Sequence, residues 1–163
     1  MSIHEPVTTL TDFAMAGASF AFTFLIARLM GPQNKVSGWF WCAAFLATGI
    51  SSAAGAIYHG FAPHLTEGTL RSLWNVTIYS AGASGAFMTA GIHAAYIKRE
   101  DGTVKWLVFG ILFTLVGFAI QQSRFPRARN FNHNDLYHVI QIVGLYFFFR
   151  CAQTIKDRPG FVS

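Results

Sequence analysis

Residues 37–61 read SGWFWCAAFLATGISSAAGAIYHGF, a run without a single lysine, arginine, aspartate or glutamate. A helix needs about 20 predominantly apolar residues to cross the hydrocarbon core of a bilayer, so a charge-free run of this length reads as a spanning segment. Its tryptophans and its histidine lie towards opposite ends, where amphipathic rings would meet the two interfaces. The second half is made of Gly, Ala and Ser, small residues that let a neighbouring backbone come close.

Similar runs flank this one on both sides. A first helix is expected over about residues 9–30, opening at TTLTDF, where Thr9 or Thr11 can cap and Asp12 suits the positive end of the helix dipole. GPQNK breaks it. The second helix then covers about residues 37–60 and is ended by Pro63, and a third covers about 70–97 before KREDG. A fourth, KWLVFGILFTLVGFAIQQ, covers about 104–122, and a fifth about 135–153. The third is again rich in Gly, Ala and Ser, so helices 2 and 3 are expected to pack together. The tail KDRPGFVS reads as polar and loose. The fold class is therefore all-α: one polytopic membrane bundle over residues 1–163 with about five transmembrane helices and no separate soluble domain.

Composition supports this placement. Of 163 residues, 53% are hydrophobic and 12% charged, a balance that belongs to an integral membrane protein. The net charge of +5 is scattered over short loops and forms no stripe, which excludes a nucleic-acid partner. No lysine or arginine precedes the first apolar run, and ARLMGP offers no small-residue cleavage site, so that run reads as a spanning helix rather than a signal peptide. Arg28 and Lys35, then Lys98, Arg99 and Lys105, then Arg150, Lys156 and Arg158 fall on one side of the predicted bundle. They favour a bacterial-type inner or cell membrane with the N-terminus outside and the C-terminus cytoplasmic. Arg124, Arg127 and Arg129 fall on the other side, where they are assigned a local purpose such as contact with lipid headgroups or a partner. Cys42 and Cys151 sit inside apolar runs and read as packing residues.

Five alternating crossings bring the start of helix 1, the end of helix 2, the start of helix 3, the end of helix 4 and the start of helix 5 to one side. That side collects Asp12, His59, His64, Trp74, Asn75, Gln121, Gln122, His133, Asp135 and His138. Ionisable groups at membrane depth are costly and usually face the bundle interior with partners. Ser52 and His59 are seven apart and share a stripe, and Asp135 and His138 are three apart and share a face. His133 and His138, five apart, diverge by roughly 140° on a regular helix and converge only if His133 precedes the helix.

Residues 51–60, SSAAGAIYHG, followed by residues 131–138, FNHNDLYH, resemble the ceramidase and progestin-adipoQ receptor superfamily (CREST) of multi-spanning membrane hydrolases. The resemblance implies a zinc site on His59, His133 and His138, with Asp135 as ligand or orienter and Ser52 as a catalytic group. It also implies hydrolysis of lipid amide or ester bonds by zinc-bound water. Ser52 or Asn75 would stabilise the oxyanion. Gly55 stands where the family has its serine, and four residues rather than three separate the late histidines.

Two further readings follow from the same residues. His59 and His138 could hold a haem or pigment between helices 2 and 5. Alternatively, the chain is an accessory subunit of a larger membrane complex, its polar cluster acting as structural glue and its small-residue and aromatic faces contacting other membrane subunits and lipids.

Overall fold

The computed structural model describes residues 3–97, 102–128 and 131–159. Five helices dominate it: α1 (Pro6–Leu29), α2 (Lys35–Phe61), α3 (Glu67–Ala94), α4 (Thr103–Ser123) and α5 (His133–Thr154). A 3₁₀ turn (Ala62–His64) carries Pro63 after α2, and two short strands, β1 (Ala95–Tyr96) and β2 (Lys156–Asp157), form an antiparallel ribbon. Lys98 and Arg99, used above to orient the chain, and Arg129 lie outside the described residues.

Where the helix ends differ from expectation, the reason is local hydrogen bonding. α1 starts at Pro6, whose missing N–H is harmless in the first turn. Thr9 and Thr11 are not caps: each hydroxyl donates back to a carbonyl one turn earlier, Glu5 at 2.7 Å and Thr8 at 3.0 Å. α3 starts at Glu67 because the Thr66 hydroxyl accepts from the backbone N–H of Thr69. It stops at Ala94, short of the expected 97, because Ala95 and Tyr96 leave it to pair with Asp157 and Lys156. α5 starts at His133 through reciprocal capping by Asn132 and Asp135. Asn132 Oδ1 accepts from the N–H of Asn134, and Asp135 Oδ2 accepts from the N–H of Asn132, both at 2.7 Å.

α2 lies between α1 and α3, α1 continues the row to α5, and α5 carries α4. The expected pairing of α2 with α3 is present and rests on small residues. Thr48 and Ser84 share a hydrogen bond of 2.7 Å, and Ser51 donates to the Thr77 carbonyl at 2.8 Å. Gly91 lets the Trp41 indole lie where a Cβ would come within 3.0 Å. On the other flank Gly110 admits the Phe148 ring, where a Cβ would come within 2.7 Å. Between them runs an aromatic core of Trp41, Phe45, Phe148 and Phe149, with Phe22 stacked on Phe149 at 4.6 Å between centroids. Cys42 and Cys151 are free and buried, as packing residues should be.

Among the described residues three segments are long and apolar enough to cross a membrane: Pro6–Leu29, Lys35–His64 and Thr103–Ser123. α4 is the most lipid-like, exposing Val108, Phe109, Leu112, Leu115 and Val116 along its outer face. In the loop after α4, Arg127 Nε donates to the Arg124 carbonyl and Arg127 pairs with Asn132 in an isolated antiparallel bridge, so these arginines also shape the turn.

The tail is not loose over its described part. Asp157 is buried and its carboxylate accepts from the N–H groups of Val36 and Ser37, both at 2.8 Å, and from the Ser37 hydroxyl. It thereby caps the first turn of α2, while Arg158 donates through its backbone N–H to Ala94 O and through Nε to Ala95 O. Replacing Asp157 with Ala is expected to cost about 2 kcal/mol, since it orphans two backbone N–H groups and a hydroxyl at a helix N-terminus. Ser37→Ala is expected to cost about 1 kcal/mol, for one hydrogen bond, when both variants are unfolded thermally in detergent beside the parent chain.

Candidate functional site

The polar side of the bundle is a cleft of about 480 Å³, to which all five helices contribute. Asp12 comes from α1, Gly55 and His59 from α2, Trp74 from α3, Gln121 and Gln122 from α4, and His138 from α5. A second chamber of about 310 Å³ shares Met15, Ser51, Ser52, Ala81, Phe118 and Tyr137 with the first and continues past Met88, Leu145 and Phe148. The lining thus changes from carboxylate, imidazole and amide at one end to a mainly thioether, aliphatic and aromatic wall, interrupted by Thr48, Ser84, Thr114 and Gln141, at the other.

Two histidine–carboxylate pairs stand at the polar end. His138, on the first turns of α5, has Nε2 3.3 Å from Asp12 Oδ1 and Nδ1 3.1 Å from the Thr11 hydroxyl. Both ring nitrogens are therefore engaged, and both Asp12 and His138 are buried. His59 is different: Nδ1 lies 2.9 Å from Glu5 Oε2. Because an ionised carboxylate only accepts, Nδ1 is the donor in that contact.

The residues singled out in the sequence are distributed unevenly around this cleft. His59 and His138 line it together, as expected, and Ser52 lines it too. Seven residues separate Ser52 from His59, a rise of about 10 Å along α2, so the serine sits deep while the histidine sits at the mouth. Asp135 does not line the cleft: Thr8 Oγ1 donates to its Oδ1 at 2.7 Å, and its Oδ2 caps α5. Its role is to hold α5 and α1 together.

His133 is the first residue of α5, not part of the preceding loop, so it points about 140° away from His138 and does not join it. Asn75 and His64 are exposed and outside the cleft. Among the described residues no three His, Cys, Asp or Glu side chains are grouped to hold a metal ion. The three-histidine zinc set implied by the resemblance is thus not assembled by this arrangement. Nor does His138 keep a ring nitrogen free to serve as an axial haem ligand opposite His59.

Of two further carboxylates, one was gathered on the polar side but given a different role, and the other escaped the sequence reading. Asp12 reads as a dipole charge, but it lies beyond the first turn of a helix that begins at Pro6, where such an effect has faded. An ionisable residue inside an apolar helix was the signal that could have marked it. Glu5 precedes the apolar run and carried no signal in one dimension.

All these features define an all-helical protein with a polar-to-apolar cleft shared by five helices. The chain belongs to the family of unknown function DUF6962, whose model matches residues 7–93 and 79–157 and so reaches from α1 to β2. No curated protein and no solved structure matches it.

The Asp12–His138 contact can be measured as a coupling. His138→Ala leaves a buried carboxylate without its partner and is expected to cost about 3 kcal/mol, and Asp12→Ala a similar amount. Made together, the two changes are expected to cost at least about 1 kcal/mol less than their sum in a double-mutant cycle by chemical denaturation. Strict additivity would mean that the pair does not interact.

Proposed function

We propose that this is an integral membrane protein that takes an amphiphilic lipid into the cleft and hydrolyses an amide or ester bond near its head. The observation that carries the reading is His59, oriented by Glu5 at the mouth of a cleft whose interior turns apolar. The three long apolar segments and the greasy outer face of α4 support the membrane placement. The lysine and arginine distribution orients the bundle with the N-terminus outside, so the cleft would open towards the outer face.

In this reading Glu5 holds the His59 Nδ1–H and fixes the tautomer, leaving Nε2 to act as general base. Nε2 takes a proton from water as the oxygen attacks the carbonyl carbon. The tetrahedral intermediate then collapses, and the imidazolium returns the proton to the departing amine or alcohol. The indole N–H of Trp74 and the amide of Gln122, both at the mouth, are the side-chain donors available to the oxyanion. Ser52, about 10 Å deeper, belongs with the groups that receive the acyl chain.

The test is release of fatty acid from a panel of fluorescent long-chain amides and esters by the protein in lipid nanodiscs. Turnover by the parent chain is expected, with His59→Ala lowering it by about 10²- to 10⁴-fold, the range for loss of a general base. Glu5→Gln is expected to lower it by at least about tenfold through loss of the correct tautomer. Absence of turnover across the panel, or turnover untouched by His59→Ala, would refute the assignment.

A further inference from the structure

The polar end of the cleft holds an imbalance that hydrolysis does not use. Asp12 is 3% exposed, and while its Oδ1 faces His138, its Oδ2 has no hydrogen-bond partner. That oxygen lies 3.4 Å from where a Cβ on Gly55 would stand, so the absence of a side chain on α2 keeps room beside it. Gln121 spends its amide N–H on Asn134 Oδ1 at 2.7 Å, which leaves Gln121 Oε1 buried and also without a partner. Buried acceptors left unpaired are costly, and two of them lining one cavity call for a donor.

The charge of the lining points the same way. Among the described residues no lysine or arginine lines either chamber, so nothing there would neutralise a phosphate or carboxylate head. The Tyr58 and Trp74 rings, 5.7 Å apart between centroids, stand at the mouth and offer faces to a cation. We infer that the cleft selects an amphiphile whose head is a primary amine, its N–H groups donating to Asp12 Oδ2 and Gln121 Oε1 and its chain lying along Met88, Leu145 and Phe148. This deepens the lipid reading proposed above and rests on the same cleft, but it concerns recognition and not bond cleavage.

The experiment is a tryptophan-fluorescence titration of the protein in phosphatidylcholine nanodiscs with dodecylamine, dodecanol, dodecanoate and butylamine, corrected for partitioning into empty discs. Dodecylamine is expected to bind at least about tenfold more tightly than the alcohol or the acid, the value of one hydrogen-bonded charge. Asp12→Asn should bring the amine to the affinity of the alcohol, and Gln121→Met, which removes only the second acceptor, should weaken the amine about threefold and leave the alcohol unchanged. If Asp12→Asn does not fold, Gln121→Met decides.

Equal affinities for amine and alcohol, or an amine preference intact in the folded variants, would overturn the inference. Butylamine binding as tightly as dodecylamine would overturn the assignment to a lipid amine in favour of a soluble one. The two proposals fail separately: amine-selective binding that persists in His59→Ala without any turnover by the parent chain leaves recognition standing and removes hydrolysis. Turnover with no amine preference does the reverse.

Discussion

The seam between α1 and α5 holds the molecule together. Thr8, Thr11 and Asp12 form one stripe on α1, and Asp135 and His138 form one stripe on α5. The two meet through the Thr8–Asp135 bond at 2.7 Å, the Thr11–His138 contact at 3.1 Å and the Asp12–His138 contact at 3.3 Å. The backbones of α2 and α5 stay apart and meet through rings such as Trp41 and Phe148, 6.1 Å between centroids, so α1 is the main helix joining the α2–α3 pair to the α4–α5 pair. Every polar group in the seam except Thr11 is buried, which makes misregistration expensive: a slip of one residue would leave several of them without partners. The same helix delivers Glu5 to His59, so the register that closes the bundle also sets the geometry of the cleft mouth.

The cleft follows from this arrangement. A row of helices in which α3 packs chiefly on α2, and α4 chiefly on α5, has two ends that face each other across the space lined by Ala81 and Phe118. Small residues on α2, Ser51, Ser52 and Gly55, leave that space open on the inner side. Gly55 is instructive. It occupies the position where the resemblance calls for a serine, and the volume a side chain would have used is bordered by the Asp12 carboxylate of another helix.

Helix number and the pairing of α2 with α3 were legible in the sequence because they depend on the length of apolar runs and on small-residue faces, both written locally. So was the gathering of His59, Trp74, Gln121 and His138 at one end, since alternating crossings fix it without any knowledge of packing. The roles of the carboxylates were not. Asp135 reads as a site residue beside His138, yet Asn132-x-x-Asp135 is a capping pattern, and once it starts α5 at His133 the two late histidines must diverge. Asp12 and Glu5 act through partners more than 50 residues away in the chain, and no periodicity reports such distances. The tail was misjudged for the same reason: Lys156 and Asp157 look polar and unattached until Ala95, Tyr96 and Ser37 are placed beside them.

That last contact has a consequence for how the chain comes to be folded. The first turn of α2 presents its N–H groups to a carboxylate 120 residues further on, and loop closure over such a separation is entropically slow. During vectorial synthesis the start of α2 is made early and its cap late, so for most of elongation those N–H groups depend on solvent or a transient partner. Arrival of Asp157 fastens α2, the end of α3 and the end of α5 in one event. A ribosome stalled before that residue would hold a chain with all five helices written and the fastening still missing.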